Sequence, residues 1–173
     1  MRVPYLPKKQ GLYDPNFEHD NCGIGFLANV KGKATHKTVK DALLLLENLE
    51  HRGGQGDEEN TGDGAGILTQ IPHAFFRKKG LIQRDKGEYA VGMVFLPRHK
   101  QTRAEVKQQI EAIVAEEEVD LIHWRDVPTD SSSLGNAALQ SMPVIEQLFV
   151  SPKTNLTGLE LERKLYVIRK RAE

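Results

Sequence analysis

Residues 35–50, THKTVKDALLLLENLE, carry the tightest constraint on the fold. Val39, Ala42, Leu43, Leu46 and Leu49 recur at helical spacing, with Thr35 placed to cap the first turn. Leu44 and Leu45 widen that stripe beyond what one contact face uses. A helix so apolar calls for cover on more than one side, which predicts a layered molecule with this helix packed between layers. The rest of the chain supplies candidate layers. Strand-like runs occur at 22–30, 67–71, 89–96, 119–127 and 144–150. Helical patterns occur at 73–79, closed by Gly80, at 102–117, with Thr102 as a cap, and at 159–171. Strands and helices alternate, so the class is α/β or α+β, and periodicity alone does not order the strands. A chain of 173 residues suffices for one domain with a real core.

Charge gives no direction to a partner. Lys+Arg and Asp+Glu both number 24, so there is no electrostatic reason to expect nucleic acid or an anionic membrane. No apolar run approaches the roughly 20 residues of a membrane span, and the basic start, MRVPYLPKKQGLY, lacks the apolar stretch of a secretory signal. The expectation is a cytoplasmic globular protein. One cysteine permits no internal disulfide and no four-cysteine metal site. The six histidines show neither H-x-x-x-H nor H-E-x-x-H spacing. His123 beside Trp124 is expected to pack within a strand.

That single cysteine, Cys22, stands at the start of CGIGF, behind a loop-like segment rich in Pro, Gly, Asp and Asn. A free cysteine is most often a small buried hydrophobe. Two features argue for more. Gly23 and Gly25 leave open backbone beside the sulfur, and a strand start behind an extended leader is a place where a chain can be cut. Cleavage before Cys22 would give it a free α-amine with an ordinary pKa of about 8. One residue would then supply nucleophile and base together. Further along, LEHRGGQG (49–56) reads as a helix end with His-Arg against the dipole and a glycine cap. The glycine- and acid-rich loop to residue 66, including TGDGAG, could bring backbone N–H groups to a ligand. It has neither the P-loop pattern nor the spacing of a calcium loop.

Taken together, CGIGF at 22–26, LEHRG at 49–53, TGDGAGI at 61–67 and QIPH at 70–73 resemble the start of the class II glutamine amidotransferase domain of glutamate synthase large subunits. The resemblance extends through MPVI at 142–145 and ERKLY at 162–166. It implies an α+β protein of the four-layer α/β/β/α N-terminal-nucleophile hydrolase fold, incomplete here. Residues 1–21 would be a leader and 22–173 the N-terminal part of the amidotransferase domain. Cys22 would attack the glutamine side-chain amide, releasing glutamate and ammonia for transfer to 2-oxoglutarate. Arg52 would order the nucleophile and the substrate pocket, and Gly53 would line that pocket with backbone groups. The family's Asn-Gly oxyanion pair and later substrate-binding Arg and Asp would lie beyond Glu173. A truncated, inactive relative acting as an interaction or split-subunit module is the alternative. The resemblance also implies glutamine as ligand, the remaining synthase domains or small subunit as partners, and no nucleic acid or membrane. No cofactor or metal is expected in this chain, since FMN and the iron–sulfur cluster belong to other parts of the full-length protein.

Overall fold

A computed structural model describes residues 8–11, 14, 23–50, 54, 58, 60–62, 64–154 and 156–173. The chain divides into two compact units, Met1–Leu68 and Thr69–Glu173.

In the first unit, α1 spans His36–Asn48. Thr35, in extended conformation, caps it: its side chain accepts from the Thr38 N–H at 3.3 Å. This is the predicted cap. The expected burial of the stripe is not seen, since none of the helix is buried and Leu43 and Leu44 remain 47% and 53% exposed. The predicted strands at 22–30 and 67–71 are likewise irregular over their described residues. The reason is shared. A strand requires a ladder partner for its N–H and C=O groups, and the described residues of neither run join the sheet.

The second unit is a mixed helix and antiparallel-sheet structure. Its elements are α2 (His73–Lys78), β1 (Ala90–Leu96), α3 (Lys100–Glu116), β2 (Val119–Asp126), α4 (Asn136–Ser141), β3 (Val144–Pro152) and α5 (Gly158–Ala172). The sheet order is β1-β3-β2, with both outer strands antiparallel to the central one. β1 and β2 therefore run parallel, joined through α3, with β3 inserted between them. This is a split β-α-β arrangement. The register pairs Ala90 with Val150 and Leu96 with Val144, and a shift between Leu121 and His123 interrupts the β2 ladder.

Alternation along β3 feeds two cores on opposite faces of the sheet. Leu148 and Val150 pack with Ile110 and Val114 of α3, Val119 of β2 and Ile168 of α5. Phe149, fully buried, packs with Phe76 of α2, Ile82 and Tyr89. Phe76 meets Phe149 edge-on at 5.0 Å, and His123 stacks on Phe149 at 4.5 Å. Neighbouring Trp124 packs with the opposite cluster, so the expectation that His123–Trp124 lies in a strand and packs is met.

Ends of elements follow local chemistry. Gly80 closes α2 with φ +69°, its N–H donating to Arg77 O and that of Leu81 to Phe76 O. The cap of α3 is His99 rather than the expected Thr102: the imidazole Nδ1 lies 3.4 Å from the Thr102 N–H, so Thr102 contributes the donor. Helix α4 has no counterpart in the sequence reading, because six residues without a side-chain cap leave little periodic signal.

Candidate functional site

The three residues singled out by sequence, Cys22, Arg52 and Gly53, lie outside the described residues. What is described is the framework on either side of them in the chain. Gly23, Ile24, Gly25 and Phe26 follow the cysteine directly. Gly23 and Gly25 lie against the last turns of α1, with Leu49 and Leu45 as their respective neighbours. Ile24, between them, and Phe26, just after them, are 98% and 92% exposed. This alternation turns the glycines to the helix and the large side chains away from it.

At the other end of the framework, Leu49 caps α1, its N–H donating to Leu45 O and Leu46 O at 3.1 and 3.0 Å. In the acid-rich loop, the Thr61 hydroxyl donates to Glu58 Oε2 at 2.9 Å, and its N–H donates to Glu58 O at 3.0 Å. These two bonds tie the first residue of TGDGAG back to Glu58. Among the described residues no group of three or more His, Cys, Asp or Glu side chains could hold a metal ion. No described helix is long and apolar enough to cross a membrane.

The second unit holds polar contacts that sequence reasoning missed. His73, in the QIPH motif, is hydrogen-bonded through Nδ1 to the Tyr89 hydroxyl at 3.1 Å. Burial holds the Tyr89 phenol above its ordinary pKa. On the other face of the sheet, Lys107 Nζ donates to buried Glu146 at 2.6 Å and sits 4.6 Å from the Trp124 ring centroid. Trp124 Nε1 donates to Glu111 Oε1 at 2.7 Å. Lys107 and Glu111 share a face of α3 at i, i+4, a visible spacing, but only the packed sheet reveals their partners. These groups satisfy one another, as buried polar groups must. Beside them an open groove runs along α3, lined by Lys100, Arg103, Ala104, Lys107, Gln108 and Glu111. All of its walls come from one helix.

Comparison with known proteins adds a family. A family model described as glutamine amidotransferases class-II matches residues 22–173. The chain is 48% identical over 176 residues to the glutamate synthase [NADPH] large chain of Bacillus subtilis, covering 100% of this chain and 12% of the relative. It is 42% identical over 171 residues to the chloroplastic ferredoxin-dependent glutamate synthase 2 of Arabidopsis thaliana, covering 96% and 10% respectively. It is 40% identical over 177 residues to the glutamate synthase [NADH] of Schizosaccharomyces pombe, covering 96% and 8%. The chain thus spans 8 to 12% of the length of these relatives. With the family match running over 22–173 and this similarity to glutamate synthases, the chain belongs to the class II glutamine amidotransferases.

Proposed function

We propose that this chain is the glutamine-hydrolysing part of a glutamate synthase, with Cys22 as its nucleophile. One observation carries the reading: the family match begins at Cys22, the sole cysteine of the chain. Residues 1–21 are then a leader, and their removal gives Cys22 a free α-amine. The amine accepts the thiol proton, since its ordinary pKa of about 8 lies close to that of the thiol. The thiolate sulfur attacks the amide carbon of glutamine, and a C–S bond forms as the carbonyl electrons move to oxygen. Collapse of this intermediate breaks the C–N bond. The protonated amine returns its proton to the leaving nitrogen, which departs as ammonia. Water, deprotonated by the same amine, attacks the thioester carbon, and glutamate leaves with return of the thiol. Arg52 orders the nucleophile and pocket, while Gly53 offers backbone groups to the substrate.

The fold that goes with this chemistry is the four-layer N-terminal-nucleophile architecture. The three-stranded sheet with α3 and α5 on one face supports one sheet and one helical layer of it. The ammonia would pass to the flavin domain of the full synthase for amination of 2-oxoglutarate, and the remaining synthase domains or small subunit would be this chain's partners, in a cytoplasmic enzyme. FMN and the iron–sulfur cluster belong to those other parts. A single cysteine does not provide the thiolates that hold such a cluster, so these 173 residues do not fit it.

Intact-mass measurement tests the reading. Loss of residues 1–21, followed by a single adduct from a glutamine-like electrophile, is the expected result. Cys22→Ala should block the adduct and lower glutamine hydrolysis by at least about 10⁴-fold. A chain that stays uncut with an unreactive thiol overturns the proposal.

A further inference from the structure

Helix α3 begins on an uncommon cap. Ser, Thr, Asp and Asn are the usual N-cap residues, because each offers an oxygen that accepts a hydrogen bond from the first turn. Here the position is His99, extended at φ −65° and ψ 121°. Its Nδ1 lies 3.4 Å from the Thr102 backbone nitrogen and 3.1 Å from Thr102 Oγ1. Nδ1 accepts the Thr102 N–H only as an unprotonated nitrogen, so the capping ring is the neutral tautomer with its hydrogen on Nε2. A second proton would go to Nδ1 and turn it into a donor. The Thr102 hydroxyl can rotate to accept that hydrogen, but the Thr102 N–H loses its partner. The new positive charge would also stand at the positive end of the α3 dipole.

The same turn organises contacts beyond the helix. The Arg103 N–H donates to His99 O at 2.9 Å. Its guanidinium donates to Pro97 O at 3.2 Å and to Arg98 O at 3.1 Å. Arg98 in turn donates to Leu139 O and Gln140 O, near the end of α4. The first turn of α3 thus holds the segment that bears Arg98, and Arg98 holds α4.

The charges around His99 do not compensate an imidazolium. Arg98 and Lys100 flank it in the chain, and Arg103 bonds to its carbonyl. β1 and α4 bring no titratable side chain. Glu105 of α3 accepts from Gln101, and Glu146 of β3 from Lys107. Asp126 of β2 lies opposite Glu146 in the register, and among the described residues no carboxylate is bonded to the His99 ring, whose partner is Thr102. Lys164 and Arg171 of α5 meet α3 at its other end, on Glu116 and Glu117.

Histidine takes up its proton between about pH 5 and 8. The cap is therefore made at the upper end of that range and lost as pH falls. We propose that His99 is an acid-sensitive catch: its protonation releases the first turn of α3 and, through Arg103 and Arg98, loosens α4. The device is independent of the Cys22 chemistry, and either stands without the other.

Hydrogen exchange of the full chain tests it, read amide by amide by NMR at about pH 7.5 and about pH 5 and corrected for intrinsic exchange. Protection of the Thr102 amide should fall at least about fivefold at the lower pH, the loss that goes with a missing N-cap. The Leu139 and Met142 amides, bonded to Gly135 O and Ala138 O, should lose protection with it. The Glu117 amide, bonded to Ile113 O at the far end of α3, should not change. His99→Asn keeps a capping acceptor that does not titrate, and should hold Thr102 protection within about twofold at both pH values. Three results overturn the catch: an unchanged Thr102 amide in the parent, a parental pH response in His99→Asn, or a fall shared equally by Glu117. Amides of α4 that stay protected while Thr102 opens overturn its link to α4.

Discussion

Tyr89 shows how a single residue carries information that its neighbours in sequence do not. It closes one end of the Phe149 cluster, 4% exposed, with its hydroxyl on His73. Burial disfavours the phenolate and raises the pKa. A group whose folded pKa lies above its unfolded value contributes stability that is intact below the unfolded pKa, here about 10. That contribution is lost as pH rises through the folded value. Spectrophotometric titration should therefore show Tyr89 ionising late, above the ordinary phenol range. Tyr89→Phe should remove this late step and flatten the loss of stability above about pH 10. A different lesson comes from Glu146, 5% exposed and held by Lys107. Its place in the alternating pattern of β3 puts it on a core face, where an unpaired carboxylate would be costly. Its salt-bridge partner is 39 residues away, which no local reading supplies.

Among the elements, those with strong internal signals lie close to where the sequence puts them. α1 starts at its cap, and β1, β2 and β3 fall within two residues of the runs that suggested them. α5 falls within a residue of the predicted 159–171 pattern and buries Leu161 and Ile168. The cap of α1 matters more than usual because the helix has no buried residue to stabilise it. Thr35→Ala should cost about 1 kcal/mol. The loss should register as faster hydrogen exchange at the first-turn amides, above all Thr38, with little change in the second unit. Elements with weak local signals are the ones missed. The short helix α4 lacks a side-chain cap, and the described residues of the runs at 22–30 and 67–71 form no strand because β-structure is completed by partners and not by composition.

Over the whole molecule, the two core clusters both belong to residues 69–173 and both depend on β3. Phe149 is 0% exposed and touches Phe76 and His123 from the middle of the central strand. Phe149→Ala should destabilise this unit by about 3–5 kcal/mol, visible as a large drop in the denaturant midpoint. A surface change such as Lys100→Ala should leave that midpoint within about 0.5 kcal/mol.

The candidate site was legible in one dimension. Cys22, its glycines and the HRG that follows α1 stand out because their chemistry is written in residue type and spacing, and the family match over 22–173 agrees with the resemblance those motifs suggested. The sequence by itself determined the helices with strong stripes, the Thr35 cap, the three strands of the sheet and the family, because each depends on residues close together along the chain or on a motif read in order. Only the tertiary structure decided that β3 lies between β1 and β2, that Lys107 neutralises Glu146, and that Gly23 and Gly25 seat on Leu49 and Leu45. Those outcomes depend on which distant surfaces exclude water together, and the free energy of that choice belongs to pairs of segments rather than to either segment alone.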